Sequence, residues 1–159
     1  MTRRKFITTT GATALVAGTA GSGLAKPKVQ AKAKSTKRKV STDRAPKPAG
    51  PYSQAIVAGN TIYVAGQGPF DPQTGKMPAS FEEQAVQVFE NIKAIVEAGG
   101  AKLADVVNVN VYLGDLANFA KMNEVYRRYF SGDFPARATV GTQLLGGMGI
   151  EVACIAVKG

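Results

Sequence analysis

The chain has 159 residues, enough for one ordinary domain plus a tail, and its 45% apolar content suits a globular core. It contains no His and a single Cys, Cys154, which excludes Ser-His-Asp and Cys-His catalysis, His-based metal sites and any disulfide within the chain. The net charge of +9 is unevenly placed: residues 1–45 hold eleven Lys/Arg and one Asp, about +10, whereas residues 46–159 hold nine Lys/Arg and ten Asp/Glu, about −1. The basicity therefore belongs to the leader and tail and not to the domain, which argues against nucleic-acid binding by the folded part, since such a surface needs its cations there.

The first segment reads as an address. Thr2-Arg3-Arg4-Lys5-Phe6-Ile7 has the pattern of a twin-arginine export motif: paired arginines, a spacer, then two apolar residues. The stretch from Gly11 to Leu24 is apolar but too short and too rich in Gly and Ala for a membrane span. Gly23-Leu24-Ala25 offers small residues at cleavage spacing, and Ala31-Lys32-Ala33 is a weaker alternative. These features predict a signal peptide over residues 1–25 of a bacterial protein, a periplasmic product, and no stable membrane span after cleavage. Residues 26–48 are Lys-rich with three prolines and few bulky apolar side chains, so they predict a linker or tether.

A domain is predicted over residues 49–159. Gln54–Val57 and Thr61–Ala65 are short β-rich runs joined by the turn pair Gly59-Asn60. Asp71–Gly75 is a further turn. Ser80 opens a helix, and Glu83 completes a capping box. Ala85, Val88, Phe89, Ile92, Ile95 and Val96 share one helical face, and Gly99-Gly100 ends it. Val106–Leu113 predicts a strand, with Val107, Val109, Val111 and Leu113 on one face and Asn108 and Asn110 on the other. A second helix is expected over about Asn118–Phe130, burying Phe119, Met122, Tyr126, Tyr129 and Phe130. Strands over about Ala138–Gln143 and Gly149–Val157 close the chain. The order β-β-α-β-α-β-β makes a layered α+β domain, in which two helices cover one face of the sheet. The other face still carries Val, Ile and Ala in the last strand, which predicts an oligomer.

Two residues stand out as bearers of chemistry. Arg137, in Pro135-Ala136-Arg137, enters a strand; its planar fork can grip a carboxylate at two points, or it can form a surface ion pair. Glu151 lies between Ile150 and Val152 and points away from both. A lone Glu in an apolar strand costs free energy unless it is paired or functional. Its carboxylate can orient and deprotonate a water. Both a shared pocket and a structural salt bridge between the closing strands fit this pattern. Gly66-Gln67-Gly68 lacks the third glycine and the helix start of a dinucleotide loop; Gly66 fits a close backbone approach better. Cys154, among apolar neighbours, is expected in the core.

The segments Gly50-Pro51-Tyr52-Ser53-Gln54-Ala55, Val64-Ala65-Gly66-Gln67, the helix end Asn91–Ala98, Asn123 with Tyr126, Phe134–Val140 and Ile150–Val157 form a recognisable set. Together they resemble the RidA (YjgF) family. The resemblance covers about residues 40–159, and its specific parts are the Pro-Ala-Arg segment and the Ile-Glu-Val strand. It implies a chorismate-mutase-like α+β fold and a homotrimer around a central barrel, with ligand sites between subunits. It also implies hydrolysis of 2-iminobutanoate and 2-iminopropanoate to the 2-oxo acid and ammonia, by a C–N hydrolase that uses no metal and no organic cofactor. Carried over by position, Arg137 would bind the substrate carboxylate and Glu151 would hold the attacking water. Tyr52, Gly66, Asn123 and Thr139 would shape the pocket. Thr139 stands where many members have Cys, Ala65 where Ser is common, and the loop Leu144–Gly149 is about one residue short. These departures bear on substrate preference. A non-catalytic module that binds small carboxylates through Arg137 is the alternative. A ribonuclease, the activity in the family's older naming, is disfavoured by the near-neutral domain and the missing His.

Overall fold

The computed structural model describes residues 36–159. The predicted signal peptide of residues 1–25 and residues 26–35 of the predicted linker lie outside the described residues. The elements are β1 (Arg38–Val40), β2 (Ala55–Ala58), β3 (Thr61–Gln67), α1 (Phe81–Gly99), β4 (Val106–Leu113), α2 (Phe119–Tyr129), β5 (Ala136–Gly141) and β6 (Ile150–Val157), with short 3-10 turns between some of them. The six strands form one sheet in the order β1-β2-β3-β6-β4-β5. Only β4 and β5 run parallel, and α2 makes the crossover such a pair requires. The α+β class expected from the sequence is the class found.

Local chemistry accounts for α1. Ser80 adopts an extended backbone and its Oγ accepts from the Glu83 amide at 3.3 Å, while the Glu83 carboxylate accepts from the Ser80 amide at 3.3 Å. The predicted face, Ala85, Val88, Phe89, Ile92, Ile95 and Val96, is wholly buried. Gly100 ends the helix with φ of 91°, a left-handed value that glycine adopts without strain. Val109, Val111 and Leu113 of β4 and Ile150, Val152, Cys154 and Ala156 of β6 complete this core.

Four expectations differ from the structure. The ordered body begins upstream of residue 49, because part of the presumed linker is built into the sheet. Arg38–Val40 pairs with β2, and Val40 and Ala45 are both 1% exposed. Buried Gln54 anchors this stretch: its side-chain amide donates to the carbonyls of Thr42, Ala45 and Pro46 and accepts from the Thr42 amide. An edge strand needs only backbone pairing on one side, so a polar triplet such as Arg-Lys-Val gives no hydrophobic signal. Second, Val106 rather than Val107 enters the core, with 5% against 48% exposure. The β4–β6 register shifts between Val106 and Asn108, and such a bulge breaks strict alternation. Third, Phe119 is half-exposed in the first turn of α2 instead of buried. Fourth, β5 starts two residues early, so Arg137 lies inside the strand.

The second sheet face carries no helix among the described residues. Ile56, Tyr63, Ala153, Ile155, Val157 and Val140 alternate with the core residues and remain partly or well exposed, around Asn110 and Tyr112 of β4. No helix among the described residues is long and apolar enough to cross a membrane.

Candidate functional site

Arg137 pairs across the parallel register with Val109, so its side chain leaves the sheet on the helix-bearing side. There it meets α2. Nη2 donates to Oδ1 of Asn123 at 2.7 Å, and Nη1 lies 3.8 Å from Sδ of Met122. The guanidinium carbon sits 4.5 Å from the centroid of the Tyr126 ring and 5.9 Å from that of Phe119. Phe119, Met122, Asn123 and Tyr126 fall at positions i, i+3, i+4 and i+7 of the helix, one stripe of its surface. A cavity of about 240 Å³ opens beside them, lined also by Phe134 and Pro135. Thr139 follows Arg137 on the same strand face and is partly exposed. Tyr126 is 3% exposed, and its hydroxyl has no hydrogen-bond partner among the described residues. Burial raises the pKa of this phenol, the Arg137 charge opposes the rise, and the Cys154 thiol adds to it.

Glu151 occupies a different place. Its neighbours Ile150 and Val152 point into the core, so Glu151 points to the helix-free side, at the end of the sheet where β3 finishes. The β3–β6 register shifts between Val64 and Gln67, and Gly66 lies in that irregularity. A Cβ built on Gly66 would run into Oε1 of Glu151. This is the close approach that the glycine was expected to serve. The Gly50-Pro51-Tyr52 loop folds over the same region, with the Tyr52 hydroxyl accepting from the Ala49 amide at 3.1 Å. Tyr52, Gly66 and Glu151 line one cavity of about 490 Å³, together with Phe70, Leu145 and Met148.

Within one chain the structure thus brings together Arg137 and Asn123, with Thr139 nearby, and separately Tyr52, Gly66 and Glu151. It does not bring the two groups to one pocket, which corrects the expectation that Arg137 and Glu151 face each other. They lie on opposite sheet faces, with β4 between their strands and an offset of three positions along it. At strand spacings this places their Cα atoms roughly 14 Å apart. Nor do they form the alternative salt bridge. The ion pairs among the described residues are Arg44–Glu97 at 3.0 Å and Arg128–Glu82 at 2.6 Å. A larger groove of about 770 Å³ at the start of α1 contains none of the expected residues. Its acids, Glu82 and Glu83, are engaged by Arg128 and Ser80. Arg137 and Asn123 line the cavity of about 240 Å³, and Tyr52, Gly66 and Glu151 that of about 490 Å³.

Sequence reasoning missed Phe119 and Tyr126 as neighbours of Arg137. Their helical spacing from Asn123 was readable, but it resembled an ordinary core stripe. Cys154 is buried in the core as expected, and burial pushes its thiol up to about 12. No cluster of three or more acidic or Cys side chains among the described residues is arranged to hold a metal ion.

Comparison with known proteins places this geometry in context. The family model described as Endoribonuclease L-PSP matches residues 42–158. A RutC family protein of Pyrococcus abyssi is 54% identical over 77% of this chain and 98% of its own length. A 2-iminobutanoate/2-iminopropanoate deaminase of Dermatophagoides farinae is 46% identical over 67% of this chain and 84% of its own length. The crystal structure of RidA from an Antarctic Psychrobacter is similar at a TM-score of 0.75 and 48% identity, covering 76% of this chain and 99% of that one.

Proposed function

The chain belongs to the Endoribonuclease L-PSP family, the family of RutC and RidA proteins, and from that premise we propose that it hydrolyses 2-imino acids to 2-oxo acids and ammonia. The observation that carries this reading is the division of its polar groups. A carboxylate-gripping fork and a candidate base each stand in a cavity, without an ion-pair partner among the described residues, on opposite faces of one sheet. The site proposed is composite: Arg137, Asn123 and Thr139 of one copy close on Tyr52, Gly66 and Glu151 of a neighbour in a homotrimer. The apolar helix-free face supplies a surface for assembly. One relative is named for this imine-hydrolysing activity, which supports the choice of substrate class.

In this site Arg137 binds the substrate carboxylate through its two-point fork. Glu151 takes a proton from a water as the water oxygen bonds to C2 of the imine. Glu151 returns that proton to the nitrogen, which gives the neutral carbinolamine; it then takes the carbinolamine hydroxyl proton and passes it to the nitrogen as the C–N bond breaks and the C=O bond forms, so that ammonia leaves carrying both protons of the water. An imine is already electrophilic, so positioning and a modest base suffice, and these residues need no cofactor for the step. We also read the leader of residues 1–25 as directing export to the periplasm.

Complementation tests the composite site. Arg137→Ala and Glu151→Gln chains are each expected to be inactive alone. When they are unfolded together in equal amounts and refolded, about a quarter of sites (one half times one half) should receive an intact Arg137 and an intact Glu151 from different copies. Recovery of about that share of wild-type turnover supports the reading, and a mixture as inactive as its parents overturns it.

A further inference from the structure

The environment of Arg137 holds more than its function as a carboxylate grip requires. We propose that the Tyr126 ring, with Phe119 beside it, forms an aromatic contact that fixes the plane of the Arg137 guanidinium, making Tyr126 a positioning residue for the carboxylate site. The proposal rests on the reading of Arg137 as the carboxylate holder.

The argument begins with what Asn123 leaves undone. The Nη2 hydrogen bond to Oδ1 of Asn123 at 2.7 Å pins one corner of the guanidinium firmly, whereas Nη1 meets only the weakly accepting Sδ of Met122 at 3.8 Å. The planar group remains free to swing about that corner, and a fork that swings loses the two-point geometry that separates Arg from Lys. A ring face against the guanidinium removes this freedom, because a cation prefers to lie over the negative face of the ring. Tyr126 stands at contact distance, 4.5 Å from its centroid to the guanidinium carbon, and Phe119 borders the group at 5.9 Å. Tyr126 is itself immobilised: Phe130 lies 4.5 Å from it, and Phe89 meets it edge-on at 5.6 Å. The chain of contacts runs from the core through Tyr126 to the guanidinium, so core rigidity is transmitted to the binding fork.

The hydroxyl plays no part in this arrangement. It is buried without a partner among the described residues, and an orphaned buried hydroxyl costs free energy. The positioning role therefore belongs to the ring, and Phe should fulfil it.

The test uses the full chain, with 2-oxobutanoate as the carboxylate probe and the Arg137 Nε–Hε resonance as a readout independent of ligand. In wild type that resonance should show a ring-current shift and slow rotation of the guanidinium. Tyr126→Met should lose both, and weaken 2-oxobutanoate binding roughly ten-fold, the loss expected for a desolvated cation–ring contact. The loss should appear in KM more than in kcat, because the carboxylate is gripped alike before and during reaction. Tyr126→Phe should rescue what Met loses. Phe119→Leu, at a half-exposed position, should give the same changes at about three-fold even where the core variant folds poorly. Wild-type resonance and wild-type affinity in the folded variants would overturn the proposal. If wild-type protein binds no 2-oxobutanoate, the carboxylate reading fails separately, and the Arg137 resonance still decides the aromatic contact.

Discussion

Gly66 has no side chain where Glu151 places its carboxylate, and any Cβ there would meet Oε1. The bulge of β3 brings that backbone against the acid, so the position of the proposed base depends on an absent methyl group. Gly66→Ala should displace the end of a flexible side chain and leave the fold intact. The thermal midpoint should move by a few degrees at most, while turnover falls on the order of ten- to a hundred-fold, as for a catalytic group misplaced by about 1 Å. Calorimetric melting with imine-hydrolysis kinetics checks both. Wild-type turnover in this variant would remove Glu151 from the chemistry.

Arg137 and Glu151 should separate binding from turnover. Arg137→Lys keeps the charge but not the planar fork, so it should recover only part of what Arg137→Ala loses in affinity for a 2-oxo acid. Glu151→Gln keeps size and hydrogen bonding but cannot accept the proton of water. It should bind the 2-oxo acid like wild type and lose on the order of 10²–10⁴ in turnover. Paired titration calorimetry and kinetics measure this split. A wild-type protein that binds 2-oxo acids yet hydrolyses no imine would favour the carboxylate-binding module instead.

Cys154 predicts an alkaline limit to stability. Burial raises its thiol from 9.0 to about 12, so the folded state keeps a proton that the unfolded chain releases. Its contribution is complete below pH 9 and is lost as pH rises toward 12, by at most about 1.4 kcal/mol per pH unit for one proton. Tyr126 and Tyr129, also raised, join above pH 10. Cys154→Ala should therefore flatten the fall between pH 9 and 10 while leaving the steeper part. Urea midpoints at a series of pH values give the slopes. In the wild-type fold the thiol should also resist a disulfide reagent at pH 8 until urea unfolds the protein.

The twin-arginine reading is tested in cells. Arg3→Lys with Arg4→Lys should hold the precursor in the cytoplasm, where fractionation and blotting detect the unprocessed chain. Periplasmic processing of that double variant at the wild-type rate would remove the export claim.

Much of the fold was legible because its signals are local. The Ser80–Glu83 box, the six apolar positions of α1 and the glycines that end it are all written within a few turns of chain. Arg38–Val40 was not legible, since an edge strand is held by backbone bonds and by Gln54 reaching back to carbonyls twelve, nine and eight residues away. The exchange of Val106 for Val107 depends on a register shift against β6, which no window of sequence contains. For the site, residue types pointed to Arg137 and Glu151, but strand order decides which face each occupies. That order places β4 between β5 and β6, although β5 and β6 are neighbours in sequence.

The opposed faces of Arg137 and Glu151 also bear on how activity scales with amount. A reaction that needs both groups at one ligand cannot be performed by a solitary copy, however well folded. Turnover per chain would then follow mass action: constant while copies are associated, and falling on dilution below their dissociation constant. For a protein released into a large volume, concentration itself would set whether the chemistry is switched on.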